Sequence, residues 1–221
     1  MATWLDADYI RKNTEIDASD VDDTDLEFFA EQAQKETLMG INQQVVREKV
    51  EYISDARPND IDGSNKTFYT QNWLGGFFSD SNYDLTVDTD DVKVIKIDSD
   101  GTESNLTISS IGITGTSIIL ETAPSETDTD ELYIDYTFSQ IDASNPDARL
   151  KLAAAYLTAS YAYLRLADGG KVDVEFGNVT IKEDYLSSYD KFYQKYESIM
   201  EKIETSSVDG GVLYGYSVYS I

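Results

Sequence analysis

The chain has no histidine and no cysteine, only 3 prolines, and 17 Lys or Arg residues against 42 Asp or Glu. Each shortage excludes chemistry. Without His there is no Ser-His-Asp triad and no haem held by imidazole. Without Cys there is no thiol nucleophile, thiolate zinc site or disulfide. The shortage of Lys and Arg removes the clustered cations that phosphate-backbone binding needs, and it disfavours anionic membrane surfaces. No run approaches the roughly 20 apolar residues of a membrane span. The start, from Met1 to Asp8, has no basic stretch leading into an apolar one, so no signal peptide is expected there. The expectation is a soluble, non-enzymatic protein outside the general secretory route. Hard-oxygen metal chemistry, carboxylate acid–base chemistry and plain binding remain open.

What is present supports a folded chain. Of 221 residues, 41% are hydrophobic, and 16 Tyr and 8 Phe supply core material. The net charge of −25 is uneven. Residues 60–142 hold 17 acids and 3 bases, whereas 143–221 hold 11 acids and 8 bases. The acidic middle third also alternates apolar and polar residues over Asp91 to Ile97, Ser104 to Ile111, Gly115 to Glu121 and Glu131 to Phe138. Turn pairs such as Asp100-Gly101 separate these stretches, and Lys66 to Thr70 adds another short strand. This pattern predicts an antiparallel β-module of five or six strands.

The flanks read as helical. Helices are predicted near Ala7–Lys12 and 24–40, the second capped by Asp22 to Thr24. Ser144, Pro146 and Asp147 mark the start of a third, running to about Ala167. A hairpin is predicted over Val172 to Phe176, Gly177-Asn178 and Val179 to Ile181, followed by a last helix over 183–205. The fold class is therefore α+β. A small helical domain with a short β-hairpin, residues 1–59 and 143–207, is interrupted by the β-module at 60–142. A tail, 208–221, follows.

The third helix carries two apolar stripes. One is Leu150, Ala153, Ala154, Leu157, Tyr161 and Leu164; the other is Leu152, Tyr156, Ala159, Tyr163 and Leu166. Two stripes mean either a helix at the centre of its domain or one that also meets another subunit. The tail residues Val212, Leu213, Tyr214, Tyr216, Val218, Tyr219 and Ile221 are apolar and strand-prone, which suits docking on a partner or adding a strand to the chain's own domain.

One constellation has metal-ligand spacing. Asp80, Asn82, Asp84, Thr86, Asp88 and Asp91 fall on positions one, three, five, seven, nine and twelve of a loop, Thr86 through its carbonyl. That is the spacing of an EF-hand calcium loop, and it resembles the loop of dockerins, which also ends in Asp. It departs at position six, where Leu85 replaces Gly, and a strand rather than a helix follows. The alternatives are one bound Ca2+ or a solvated acidic turn. Asp98 to Gly101 reads as an ordinary hairpin turn.

Three blocks carry a wider resemblance. They are Asp8 to Lys12 with the acidic cap Asp22 to Leu26, the segment Ala153 to Leu166, and Phe176 to Ile181 leading into Tyr185 to Tyr196. Together they resemble the head–tail connector (adaptor or head-completion) proteins of tailed bacteriophages and archaeal tailed viruses, over about two thirds of the chain. The β-module looks like the extra domain that some of these proteins carry. The resemblance implies a structural virion protein, assembled in the host cytoplasm. It implies a ring, usually of twelve subunits, at the neck between capsid and tail. The ring would bind beneath the portal, receive the next neck or tail component, and let DNA pass without specific binding. Under it, the stripe Leu152 to Leu166 would form the subunit interface, and the tail would dock on the portal. A calcium-dependent cell-surface or carbohydrate-binding module, motivated by the acidic loop and by Trp73, Phe77 and Phe78, is the alternative. A two-carboxylate glycosidase is a third reading, with no pair singled out by spacing.

Overall fold

The computed structural model describes residues 4–71, 76–113, 116–125, 127, 129, 131–169 and 178–210, with the backbone alone for 169, 178–184 and 204–210. Among the described residues four helices and eight strands follow in chain order, giving an α+β fold.

Helices α1 (Ala7–Asn13) and α2 (Asp23–Ile41) each start on an aspartate. Asp6 accepts from the Tyr9 N–H at 2.7 Å, and Asp22 from the Asp25 N–H at 2.8 Å, satisfying amides that have no partner within the helix. Helix α3 (Ala148–Gly169) follows the same rule one step later than expected. Its cap is Asp147, which accepts from the Arg149 and Leu150 amides at 2.9 Å, while Ser144 closes a separate turn with Asp142. Helix α4 spans Asn178–Gly210. The predicted hairpin is thereby corrected at Val179 to Ile181, which are helical; Val172 to Phe176 lie outside the described residues. The predicted docking residues Val212, Leu213, Tyr214, Tyr216, Val218, Tyr219 and Ile221 also lie outside them.

Helix α3 is the axis of the helical unit. Ala153, Ala154, Ala155, Ala159 and Ala162 are fully buried, and their small side chains let α1, α2 and α4 approach. Leu150, Ala153 and Leu157 pack with Ala33 of α2 and with Tyr196, Met200 and Ile203 of α4. The second stripe packs with Ile10, Leu26, Ala30 and Phe192. Tyr163 stacks on Phe192 at 5.7 Å, and Tyr156 lies 5.8 Å from the same ring. The stripe expected to meet a neighbouring subunit is thus largely covered within the chain. Ala159 and Tyr163 are buried, Tyr156 and Leu166 partly so, and only Leu152 stands outside both clusters. The stripe therefore serves the chain's own helical core, with Leu152 as its outlying member.

The β-module begins earlier than predicted. Strand β1 (Gln43–Lys49) leaves α2 directly and pairs antiparallel with β8 (Glu131–Ser139), Gln43 opposite Phe138. The boundary therefore falls near Asn42 rather than 59. One sheet runs β1, β8, β4 (Val92–Ile97), β5 (Glu103–Leu106), with β3 (Phe77–Phe78) also on β8. The second runs β2 (Thr67–Tyr69), β7 (Ser117–Leu120), β6 (Ile108–Gly112). The stretch 104–111, expected as one strand, breaks at Thr107 and passes from the first sheet to the second. Phe68, Ile118 and Leu120 of one sheet share a core with Phe78, Val92, Val94, Leu132, Ile134, Tyr136 and Phe138 of the other, a small sandwich. Phe78 is fully buried against Tyr136 at 5.6 Å and belongs to the core; Trp73 lies outside the described residues.

Burial in the helical unit pushes the phenols of Tyr163 and Tyr196 up to about 12, and that of Tyr161, which donates to Glu36, higher still. An unfolded tyrosine ionises near 10, so the folded state holds protons that the unfolded state loses. Their contribution is complete below pH 10 and is lost as pH rises towards 12. Alkaline titration should show the helical signal and tyrosinate absorbance changing together above pH 10. A smooth tyrosine titration at 10 with the helices intact would contradict the burial.

Candidate functional site

The acidic loop leaves β3 at Ser79 and returns into β4 at Val92. Both strands lie on the same side of β8, Phe78 opposite Phe138 and Val92 opposite Tyr136. The loop is therefore an excursion from one sheet edge, and it reaches back to the helical unit. Ser79 Oγ donates to Asn42 Oδ1 at 2.6 Å, and Asn42 Nδ2 donates to the Asp80 carbonyl at 2.9 Å. Leu85 is buried with Leu38 of α2 and with Ala143, beside Trp4, Ile41, Tyr83 and Val87.

The predicted ligands form a series of side-chain-closed turns. Asp80 accepts from the Leu85 N–H at 2.6 Å and the Asp84 N–H at 3.3 Å. Asn82 accepts from the Asp84 N–H at 2.9 Å, and Asp84 from the Thr86 N–H at 2.8 Å. Asp88 and Asp91 make a reciprocal capping box around the 3-10 turn Thr89–Asp91, and Asp91 also takes the Ser81 N–H at 2.6 Å and its hydroxyl at 2.9 Å. Leu85 has φ +68°, the left-handed conformation for which calcium loops keep Gly at this position. The loop is thus built from successive turns closed by Asp and Asn side chains. Among the described residues no group of three or more acidic side chains is placed to hold a metal ion.

Two of these acids are buried, Asp80 at 1% exposure and Asp91 at 4%. Burial first, and the Asp91 charge second, raise the Asp80 carboxyl above its ordinary value, against the pull of the loop amides. Among the described residues no ion pair reaches either of them.

Other charged groups have clear partners. On the outer face of the first sheet, Arg47 sits in a bulge at φ +56° and grips Glu103 with both guanidinium nitrogens, at 2.9 and 2.6 Å. Lys49 pairs with Glu131. These exposed pairs are worth little each. Glu48 points inward from β1, accepting from Tyr136 Oη at 2.6 Å and the Gln71 N–H at 2.7 Å, and burial raises its carboxyl. Sequence reasoning missed Trp4, which donates its main-chain N–H to Gln34 and its indole N–H to the Ala143 carbonyl at 3.1 Å. An isolated Trp near the start of a chain carries no pattern that could have announced this.

Among the described residues no helix is long and apolar enough to cross a membrane. No protein-family model, curated protein or solved structure matches the chain.

Proposed function

We propose that the chain is a structural virion protein, a head–tail adaptor that forms a ring beneath the portal and joins the capsid vertex to the neck or tail. One observation supports this most. Helices α1 and α2 precede the β-module, α3 and α4 follow it, and all four close around α3 as one unit. This order suits a helical adaptor with an insert, and its short insertion points, at Asn42 and near 140, let the helical unit close as if the insert were absent. Of the α3 stripe given to the subunit contact, Leu152 alone stands outside the helical clusters. The acidic charge gives passing DNA no ion pairs to make and no counterions to release. The partners in this proposal are further copies of the chain, the portal protein and the next neck component.

Native mass spectrometry and single-particle imaging of the purified chain, alone and with the portal of its own virus, test the proposal. The expected result is a ring in at least one of the two samples. A chain that stays monomeric at high concentration and ignores the portal would overturn it.

A second reading, that loop 80–91 closes on one Ca2+, is favoured by the turn pattern and by the left-handed Leu85. Calcium titration calorimetry should give binding heat for the wild type and none for Asp80→Ala with Asp84→Ala. A wild type without binding heat removes the calcium loop.

A further inference from the structure

The helical unit and the β-module share a narrow junction. Among the described residues no helix packs broadly on a strand. The two units are joined where α2 passes into β1 at Asn42, where β8 passes into α3 through 140–147, and by loop 79–91. Of these, the loop alone inserts a side chain from the module into the helical unit's side of the junction. Leu85, 7% exposed, sits against Leu38 and Ala143, and Trp4 flanks it while bonded to Ala143.

A cleft of about 190 Å³, partly open to solvent and lined by Trp4, Leu38, Asp80, Val87, Ala143 and Ser144 among others, adjoins Leu85. The loop backbone is also under strain, with Tyr83 at φ +58° and Leu85 at φ +68°. Neither is a residue that favours the left-handed region. A bulky apolar side chain is thus seated from a strained loop at the edge of an open cleft. Because the rest of the junction is narrow, the burial of Leu85 carries much of what holds the two units together.

We propose that loop 79–91 is a latch that fixes the β-module on the helical unit, with Leu85 as its bolt. Withdrawing Leu85 frees the module to swing about the two chain crossings at Asn42 and 140–147, in the manner of a hinge whose few terminal residues absorb the change. The Asn42 bonds to Ser79 and Asp80 lie at the hinge itself and remain close to the axis. The inference stands on the junction alone and does not depend on the adaptor reading.

The absence of native cysteine makes the test direct. Gln32 on α2 and Ser110 on β6 are both exposed, and each can be changed to Cys and spin-labelled in the full chain. Pulsed electron–electron resonance then reads the distance between the two units. The parent should give one narrow distribution, and Leu85→Met should keep it. Leu85→Asp should broaden it and add a second population. Ala143→Asp, on the other wall of the seat, should do the same. Helical content by circular dichroism confirms that each variant is folded, and Leu85→Ala replaces Leu85→Asp if the latter does not fold. Unchanged distributions in folded Leu85 and Ala143 variants would overturn the latch, as would a parent distribution that is already broad.

Discussion

Replacing Phe192 by Ala is expected to cost the helical unit about 4 kcal/mol, the upper part of the range for an aromatic removed from a core. The reason is position. Phe192 is 1% exposed and lies between the two tyrosines of the second α3 stripe, its plane within 4° of the Tyr163 ring. The Lys195 ammonium stands 4.7 Å from the Phe192 ring and 4.9 Å from Tyr156, so the cation shares the same cluster. Residues from α1 and α2, Ile10, Leu26 and Ala30, complete the surroundings. Truncation leaves a ring-sized void, and Ala155, Ala159 and Ala162 of α3 in the same cluster are too short to fill it. Urea unfolding followed at the helical wavelength measures the loss, and Phe192→Leu should recover part of it. A loss below about 1 kcal/mol, the size of an ordinary surface-to-core average, would mean that α4 does not pack on α3 as described.

The same cluster shows what a sequence of this kind discloses. Both apolar stripes of α3 were legible, because helical spacing puts Leu150 with Leu157 and Tyr156 with Tyr163. What covers them was not, since Phe192 and Ile10 are far away in the chain. Caps and alternation gave α1, α2, β4 and β8, where a local signal and the tertiary environment agree. Strand β1 escaped notice for physical reasons. It is an edge strand with exposed polar residues on both sides, and the bulge at Arg47 breaks its alternation between Val45 and Glu48. The start of α4 was misread because Gly177-Asn178 looks like a hairpin turn and Val179, Thr180 and Ile181 favour strands, a local preference that the helix overrides. At the candidate site, the acidic spacing was visible and the turns it forms followed from it. The seating of Leu85 against Leu38 was not, because no short-range pattern encodes it.

Asn59→Ala is expected to cost the β-module about 3 kcal/mol, from lost hydrogen bonds and added strain together. Asn59 acts as a one-residue strand on the open edge of β2. Its Oδ1 accepts from the Tyr69 N–H at 2.9 Å, and its Nδ2 donates to the Tyr69 carbonyl at 2.9 Å. The same Nδ2 donates to the Glu51 carbonyl at 2.9 Å, which ties the 50–58 segment to the sheet. The residue is 5% exposed, so water cannot replace these bonds easily. Its φ is +55°, a conformation that Asn tolerates and Ala does not. Two further variants separate the causes. Asn59→Gly loses the three bonds without strain and should cost about 2 kcal/mol, so the gap to Ala measures the backbone. Asn59→Asp keeps an acceptor for the Tyr69 N–H but removes both donations and buries a charge, and should fall at least as low as Gly. Chemical unfolding of the three variants side by side checks the order. If Ala lies within about 0.5 kcal/mol of the wild type, as a surface substitution would, then Asn59 does not close the sheet edge.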